Sequence, residues 1–239
     1  MFLTLGCDPE VFLRDKVTHD IVSAHTLFPG TKKDPFKLDR GAVQVDGMAL
    51  EFNIHPARTI EEWELNITTV LAQLDGMLKK VSNDELEMLF EPIARFDPTY
   101  FSIIPLDPKI LGCDPDFDDN GTEKVPPEGM QDLPFRTAAG HVHIGFREGG
   151  DPLESEHFEN CKVIAKRFKT AKGYVPLTPQ ERERTRYYGA PGSFRPKPYG
   201  IELRSPSNKW VQTQSGREEM FKITYKTMMD IGAKEDMSR

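Results

Sequence analysis

A chain of 239 residues with 38% hydrophobic and 10% aromatic side chains can bury a full core, and we expect one domain over 1–239. A formal charge of −7 argues against a global electrostatic footprint for nucleic acid, so any anion site must be local. Three widely spaced cysteines, Cys7, Cys113 and Cys161, form no C-x-x-C pair, the opening MFLTLGCDPEVFLRD lacks a basic leader region, and no apolar run nears the about 20 residues that cross a bilayer. A protein of the reducing cytoplasm, without disulfides, a cysteine zinc site or membrane contact, is expected.

In chain order, the first pattern is a strand with Asp8 and Glu10 on one face and Val11 and Leu13 on the other. Pro9 removes a ladder donor there, which predicts an edge strand or a bulge. Along 48–55, Leu50, Phe52 and Ile54 oppose Glu51, Asn53 and His55. A helix begins at Thr59, where Thr59 and Glu62 form a capping-box signature and apolar residues recur from Ile60 and Trp63 to Met77. The Pro-, Gly- and Asp-rich stretch 105–134 reads as a long loop. Within it, residues 116–121 imitate the first half of an EF-hand loop. Position twelve would be Pro127, however, and Leu111-Gly-Cys before it is no helix, so a surface loop is expected. Over 140–146, Val142, Ile144 and Phe146 oppose His141 and His143, and over 201–204 Ile201 and Leu203 oppose Glu202 and Arg204. Amphipathic helices are expected over roughly 153–170 and 214–232.

These patterns give an α+β fold, an antiparallel sheet with helices on its apolar face. Its second face gathers Asp8, Glu10, Glu51, His141, His143, Glu202 and Arg204. Any single carboxylate on a strand face needs no function, but acids and histidines recurring on one face, where strands disfavour Asp, suit a hard divalent cation. The H-x-H pair alone fits a hydrogen-bonded pair or zinc equally well. Beside this acidic set, 182–217 carries Arg182, Arg184, Arg186, Arg195, Lys197, Arg204, Lys209 and Arg217, as an anion site would. A solvated helix at 181–186, or an RNA-binding mix of aromatic and basic residues at 186–200, competes with that reading. The P-loop, dinucleotide, nucleophile-elbow and H-E-x-x-H fingerprints are absent.

Five blocks in order, Gly6-Cys-Asp-Pro-Glu-Val-Phe-Leu, Val45-Asp-Gly-Met-Ala-Leu-Glu-Phe-Asn, Gly140-His-Val-His-Ile-Gly, Arg186-Tyr-Tyr-Gly-Ala-Pro-Gly-Ser-Phe-Arg and Tyr199-Gly-Ile-Glu-Leu-Arg-Ser-Pro-Ser-Asn-Lys-Trp, resemble the glutamine synthetase and glutamate-cysteine ligase superfamily. The likeness is greatest to its compact branch of phage carboxylate-amine ligases. It implies a curved antiparallel sheet around a site with two or three divalent ions, Mg2+ or alternatively Mn2+. The implied reaction is ATP-dependent formation of an amide or peptide bond through an acyl phosphate, in a phage-infected cell's cytoplasm. The substrates would be small carboxylates and amines, or a peptide or protein terminus. On that pattern Glu10 and Glu51 hold one ion and His141 and Glu202 the other, with Asp8 assisting either. His143 orients substrate or nucleotide; Arg195 and Arg204 hold phosphates and the acyl phosphate; Arg186 and Tyr188 belong to the nucleotide site. Asp46, a spare carboxylate on the same face, is a candidate for the base that deprotonates the amine. Three rival readings are a guanidino-kinase-like phosphotransferase, a non-catalytic binding protein that keeps the fold, and a metallohydrolase built on His141 and His143.

Overall fold

The computed structural model describes residues 3–110, 116–125, 127–171 and 178–237; Cys113 and the Leu111-Gly-Cys stretch lie outside them. The chain begins with a twelve-residue strand, β1 (Thr4–Asp15), followed by β2 (Ile21–Val22), β3 (Phe36–Leu38), β4 (Gly41–Asp46) and β5 (Ala49–Ile54). Helix α1 (Ile60–Val81) leads to β6 (Leu86–Leu89), β7 (Ile93–Arg95) and the short α2 (Pro98–Ile103). Next come β8 (Asp116–Phe117), β9 (Glu123–Lys124), β10 (Phe135–Thr137), β11 (Gly140–Gly145) and α3 (Ser155–Lys169). The chain then runs through α4 (Pro179–Arg184), β12 (Phe194–Lys197), β13 (Gly200–Leu203) and α5 (Gln214–Met237).

One antiparallel sheet runs in the order β3-β4-β5-β1-β11-β13-β12-β8-β9, with β2 and β6 also paired to β1, while β7 and β10 form a separate pair. With helices packed against it, the fold is α+β. Among the described residues no helix is long and apolar enough to cross a membrane.

Of the two expectations for β1, an edge strand or a bulge, the bulge is the one found: the strand lies in the middle of the sheet. Its pairing to the β5 side is broken instead, because Leu5 faces Ala57 but Glu10 faces Glu51, so five steps along β1 oppose six on the other segment. Leu5 N donates to Ala57 O and Glu10 N donates to Ala139 O, so odd-numbered amides face the β5 side. The donor that Pro9 lacks therefore falls inside this bulged gap, where no ladder bond is lost.

Helix α1 shows why the apolar face is covered. Thr59 Oγ1 accepts from Glu62 N at 3.2 Å, whereas the Glu62 carboxylate accepts from Arg58 N at 2.7 Å, so the box closes one residue before the N-cap. Trp63, Ile67, Val70, Leu74 and Leu78 then fall on one stripe and are buried against Leu50, Phe52 and Ile54 of the sheet. Each such side chain contributes about 1.5–3 kcal/mol by leaving water. Trp63 stacks on Trp210 at 5.5 Å and donates Nε1 to Arg217 O at 3.1 Å, tying α1 to the start of α5. Cys161, Ile164 and Phe168 of α3 and Met220 and Phe221 of α5 complete the same core.

The opposite face of β1 is not uniformly polar. After Asp8 and Glu10, the same parity reaches Phe12, which is buried with Met48, Phe96, Phe101 and Ala138 in a second core under α2. The stretch 105–134 is correspondingly less open than expected. It contains 3-10 turns at Asp107–Lys109 and Met130–Asp132 and the β8–β9 pair, and Asp116 and Asp119 are buried rather than on a surface loop. Asp119 accepts both contacts from Lys169 Nζ at 3.1 Å, and Asp116 lies 3.4 Å from Arg204 Nε. Their carboxylates point at Lys169 of α3 and at Arg204 just after β13, which removes them from any calcium loop.

Candidate metal and anion site

Strand register places the predicted residues side by side. Asp8 pairs with His141, Glu10 with Glu51, and Glu202 with both His143 and Arg195 across four neighbouring ladders. Because side chains alternate at period two, one face collects all of them. All but His143 floor a cavity of about 560 Å3, which Lys32, Asp46, Tyr188, Lys197 and Arg204 also line.

Two groups of ligand atoms stand on that floor. One atom from each of Asp8, His141 and Glu202 lies within 4.8 Å of the others, and the same holds for Glu10, Asp46 and Glu51. Among the described residues these are the two such groups. Asp46 is brought in by a two-residue hairpin: β4 ends at Asp46, β5 starts at Ala49 opposite it, and Gly47 between them takes φ 58. That left-handed conformation favours glycine.

In the first group, Asp8 Oδ1 lies 3.2 Å from His141 Nδ1 and 3.0 Å from His143 Nε2, and His141 Nδ1 lies 3.4 Å from Glu202 Oε1. Tyr188 OH sits 3.1 Å from His141 Nε2, fixing the ring and leaving Nδ1 toward the carboxylates. Burial opposes charge on Asp8, but His143 and His141 beside it hold its carboxyl well below the usual range. Burial and the Arg204 charge lower His141, which keeps the imidazole neutral as a metal ligand requires. Burial works against the charged form of His143, and Asp8 overcomes it and raises the group. Asp8 Oδ1, His143 Nε2 and Glu202 Oε2 are buried without an aligned hydrogen bond, although ionic neighbours stand close to each. The lone pairs of Asp8 and Glu202 left in that condition fit a coordinated cation.

The second group is three carboxylates. Burial, with Asp46 next to it, pushes Glu10 up to about 7 despite the Ala139 amide that donates to it at 2.8 Å. Burial and the charges of Asp8, Asp46 and Glu10 raise Glu51 well above its ordinary value. Lys32 Nζ lies 3.0 Å from Asp46 and Gln44 donates to Glu51 at 3.0 Å. Carboxylates held this close either share protons or share a cation, and an all-oxygen set suits Mg2+ or Mn2+.

The anion side is built around Glu202 and Arg204. Lys197 Nζ lies 2.7 Å and Arg195 Nη1 3.6 Å from Glu202 Oε2, and Arg204 Nη1 donates to Oε1. Arg204 also donates to Tyr188 OH and lies over the Tyr188 ring at 5.2 Å.

Not every expected residue reaches the cavity. Arg186 is exposed and is not among the lining residues; the buried arginine of that run is Arg184, whose Nη1 donates to Ser205 O at 2.9 Å. Thus the 181–186 run is neither a bare solvated face nor a nucleotide contact at Arg186. His143 shares the face but is not among the lining residues, its Nε2 3.0 Å from Asp8 Oδ1 and its Nδ1 2.6 Å from Tyr199 OH. Asp116, Lys32 and Gln44 were missed, and Asp46 was named only as a base. The alternation Gln44–Asp46 against Val43–Val45 was the available signal for two of them.

No protein-family model matches the chain, and no curated protein sequence matches it.

Proposed function

We propose that the chain is an ATP-dependent carboxylate-amine ligase of the glutamine synthetase-like kind, acting on a phosphate-bearing nucleotide held with two divalent ions. One observation carries this reading: two adjacent ligand groups and a cluster of Arg195, Lys197 and Arg204 share one cavity. When bound, the ions would neutralise the phosphates and the charge that develops on the transferring phosphoryl group. The protein's own part is orientation. Tyr188 sets the His141 ring, and the Arg204 fork is clamped by Glu202, Tyr188 and Asp116 so that it meets the anion without reorganising. Met48, Pro108, Ile110, Met130 and Tyr187 give part of the cavity an apolar wall, which suits a base or the carbon skeleton of a carboxylate substrate. A carboxylate of the second group that is not occupied by an ion is placed to take the proton of an attacking amine.

Calorimetry of ATP binding with and without Mg2+ tests this without knowledge of the second substrate. Binding should require Mg2+ and weaken by about tenfold or more in Glu202→Gln and in Arg204→Ala. No binding under either condition would overturn the ligase reading, and metal-dependent hydrolytic activity that needs no nucleotide would favour a metallohydrolase.

A further inference from the structure

Three basic side chains, Arg195, Lys197 and Arg204, lie within 3.6 Å of the single carboxylate of Glu202. They are not equivalent. Arg204 is buried and its planar guanidinium is fixed by Glu202, Tyr188 and Asp116. Lys197 ends β12, lines the cavity and keeps a quarter of its side chain exposed, and its ammonium is a point charge on a flexible four-carbon stem. Its Nζ touches Glu202 Oε2 at 2.7 Å, the same carboxylate that Asp8 and His141 complete as a ligand group.

A divalent ion arriving at that group meets an ammonium already in contact with one of its ligands. Two outcomes relieve the repulsion: the ammonium leaves, or an anion joins. Lys197 can accomplish both in one movement, since the phosphate-bearing ligand would occupy the cavity that its side chain lines.

We propose that Lys197 is a placeholder for the divalent ion and then a ligand of the anion. It neutralises Glu202 until an ion takes the carboxylate, and the released ammonium turns to the phosphates, so that ion and nucleotide bind with positive coupling. This rests on the two-ion reading of the cavity. A lysine that merely buttressed Glu202 would make the opposite prediction for the ion, because its loss would loosen the ligand and weaken both partners.

The test is titration with Mn2+ alone, followed by ATP at saturating Mn2+, for the unaltered protein, Lys197→Met, Lys197→Gln and Lys197→Arg. In Lys197→Met and Lys197→Gln, Mn2+ alone should bind about fivefold more tightly and ATP about fivefold more weakly, two changes of opposite sign. Lys197→Arg, which keeps the charge, should hold Mn2+ as the unaltered protein does. Unchanged or weaker Mn2+ binding in both neutral variants overturns the placeholder while leaving the ion site intact. Absence of Mn2+ binding by the unaltered protein overturns the two-ion reading and the placeholder together.

Discussion

Replacing Glu10 by Gln should stabilise the protein at pH 8 and leave it little changed at pH 4. Burial and the neighbouring Asp46 raise the Glu10 carboxyl from 4.5 to about 7. A carboxyl raised on folding binds its proton more tightly in the native state, so stability is highest below pH 4.5 and declines as pH climbs from there to 7. Above about pH 7 the full penalty is present, corresponding to about 3 kcal/mol at most. Gln keeps an oxygen for the Ala139 amide, 2.8 Å from the carboxylate, and offers an amide donor toward Asp46 and Glu51. At roughly 2–4 °C per kcal/mol for a domain of this size, the variant should unfold up to about 6–12 °C higher at pH 8 and about level with the unaltered protein at pH 4. Thermal unfolding followed by circular dichroism at the two pH values reads this directly. A Glu10→Gln protein that unfolds at the same or lower temperature at pH 8 would refute the claim that crowded carboxylates are repelling each other. Mg2+ relieves the same repulsion, so it should raise the melting temperature of the unaltered protein at pH 8 more than that of the variant.

Asp116→Asn should weaken Mg2+-ATP binding by about three- to tenfold through the loss of the carboxylate 3.4 Å from Arg204 Nε, with Asp116→Glu recovering part of it. Since a carboxylate that is only a neighbour would repel the nucleotide, tighter binding in calorimetry would contradict that role. Gly140→Ala should cost about 3 kcal/mol in denaturant unfolding, because its Cβ would stand 2.5 Å from both Ser207 O and Trp210 Nε1. An unchanged denaturation midpoint would show that the β11 contact with 206–210 yields easily.

The polar floor was legible because strand alternation is a one-residue rule: once Leu50, Phe52 and Ile54 face a core, Glu51 must face away from it. The same rule failed beyond Glu10, where Phe12 shares the parity of the acids but is covered by α2, a tertiary fact that no local pattern carries. Pro9 pointed to an irregular strand, and only the register of Ala57 and Glu51 shows that the irregularity is a bulge in mid-sheet. Asp116 and Asp119 looked hydrated because the stretch around them is rich in Asp and Gly; their partners, Arg204 and Lys169, lie 88 and 50 positions away in sequence. Arg186 and Arg184 are indistinguishable by composition, and the end of α4 decides which one is buried. Asp46 needed the hairpin at Gly47 before its carboxylate could be assigned to Glu10 and Glu51.

If the floor carries two separate cation groups, the number of Mn2+ ions bound per chain in the presence of ATP will show it. Electron paramagnetic resonance titration should count about two ions for the unaltered protein and one fewer for each of Glu51→Gln and Glu202→Gln, with the remaining ion retained. A count of zero, or a count that neither substitution changes, would contradict it.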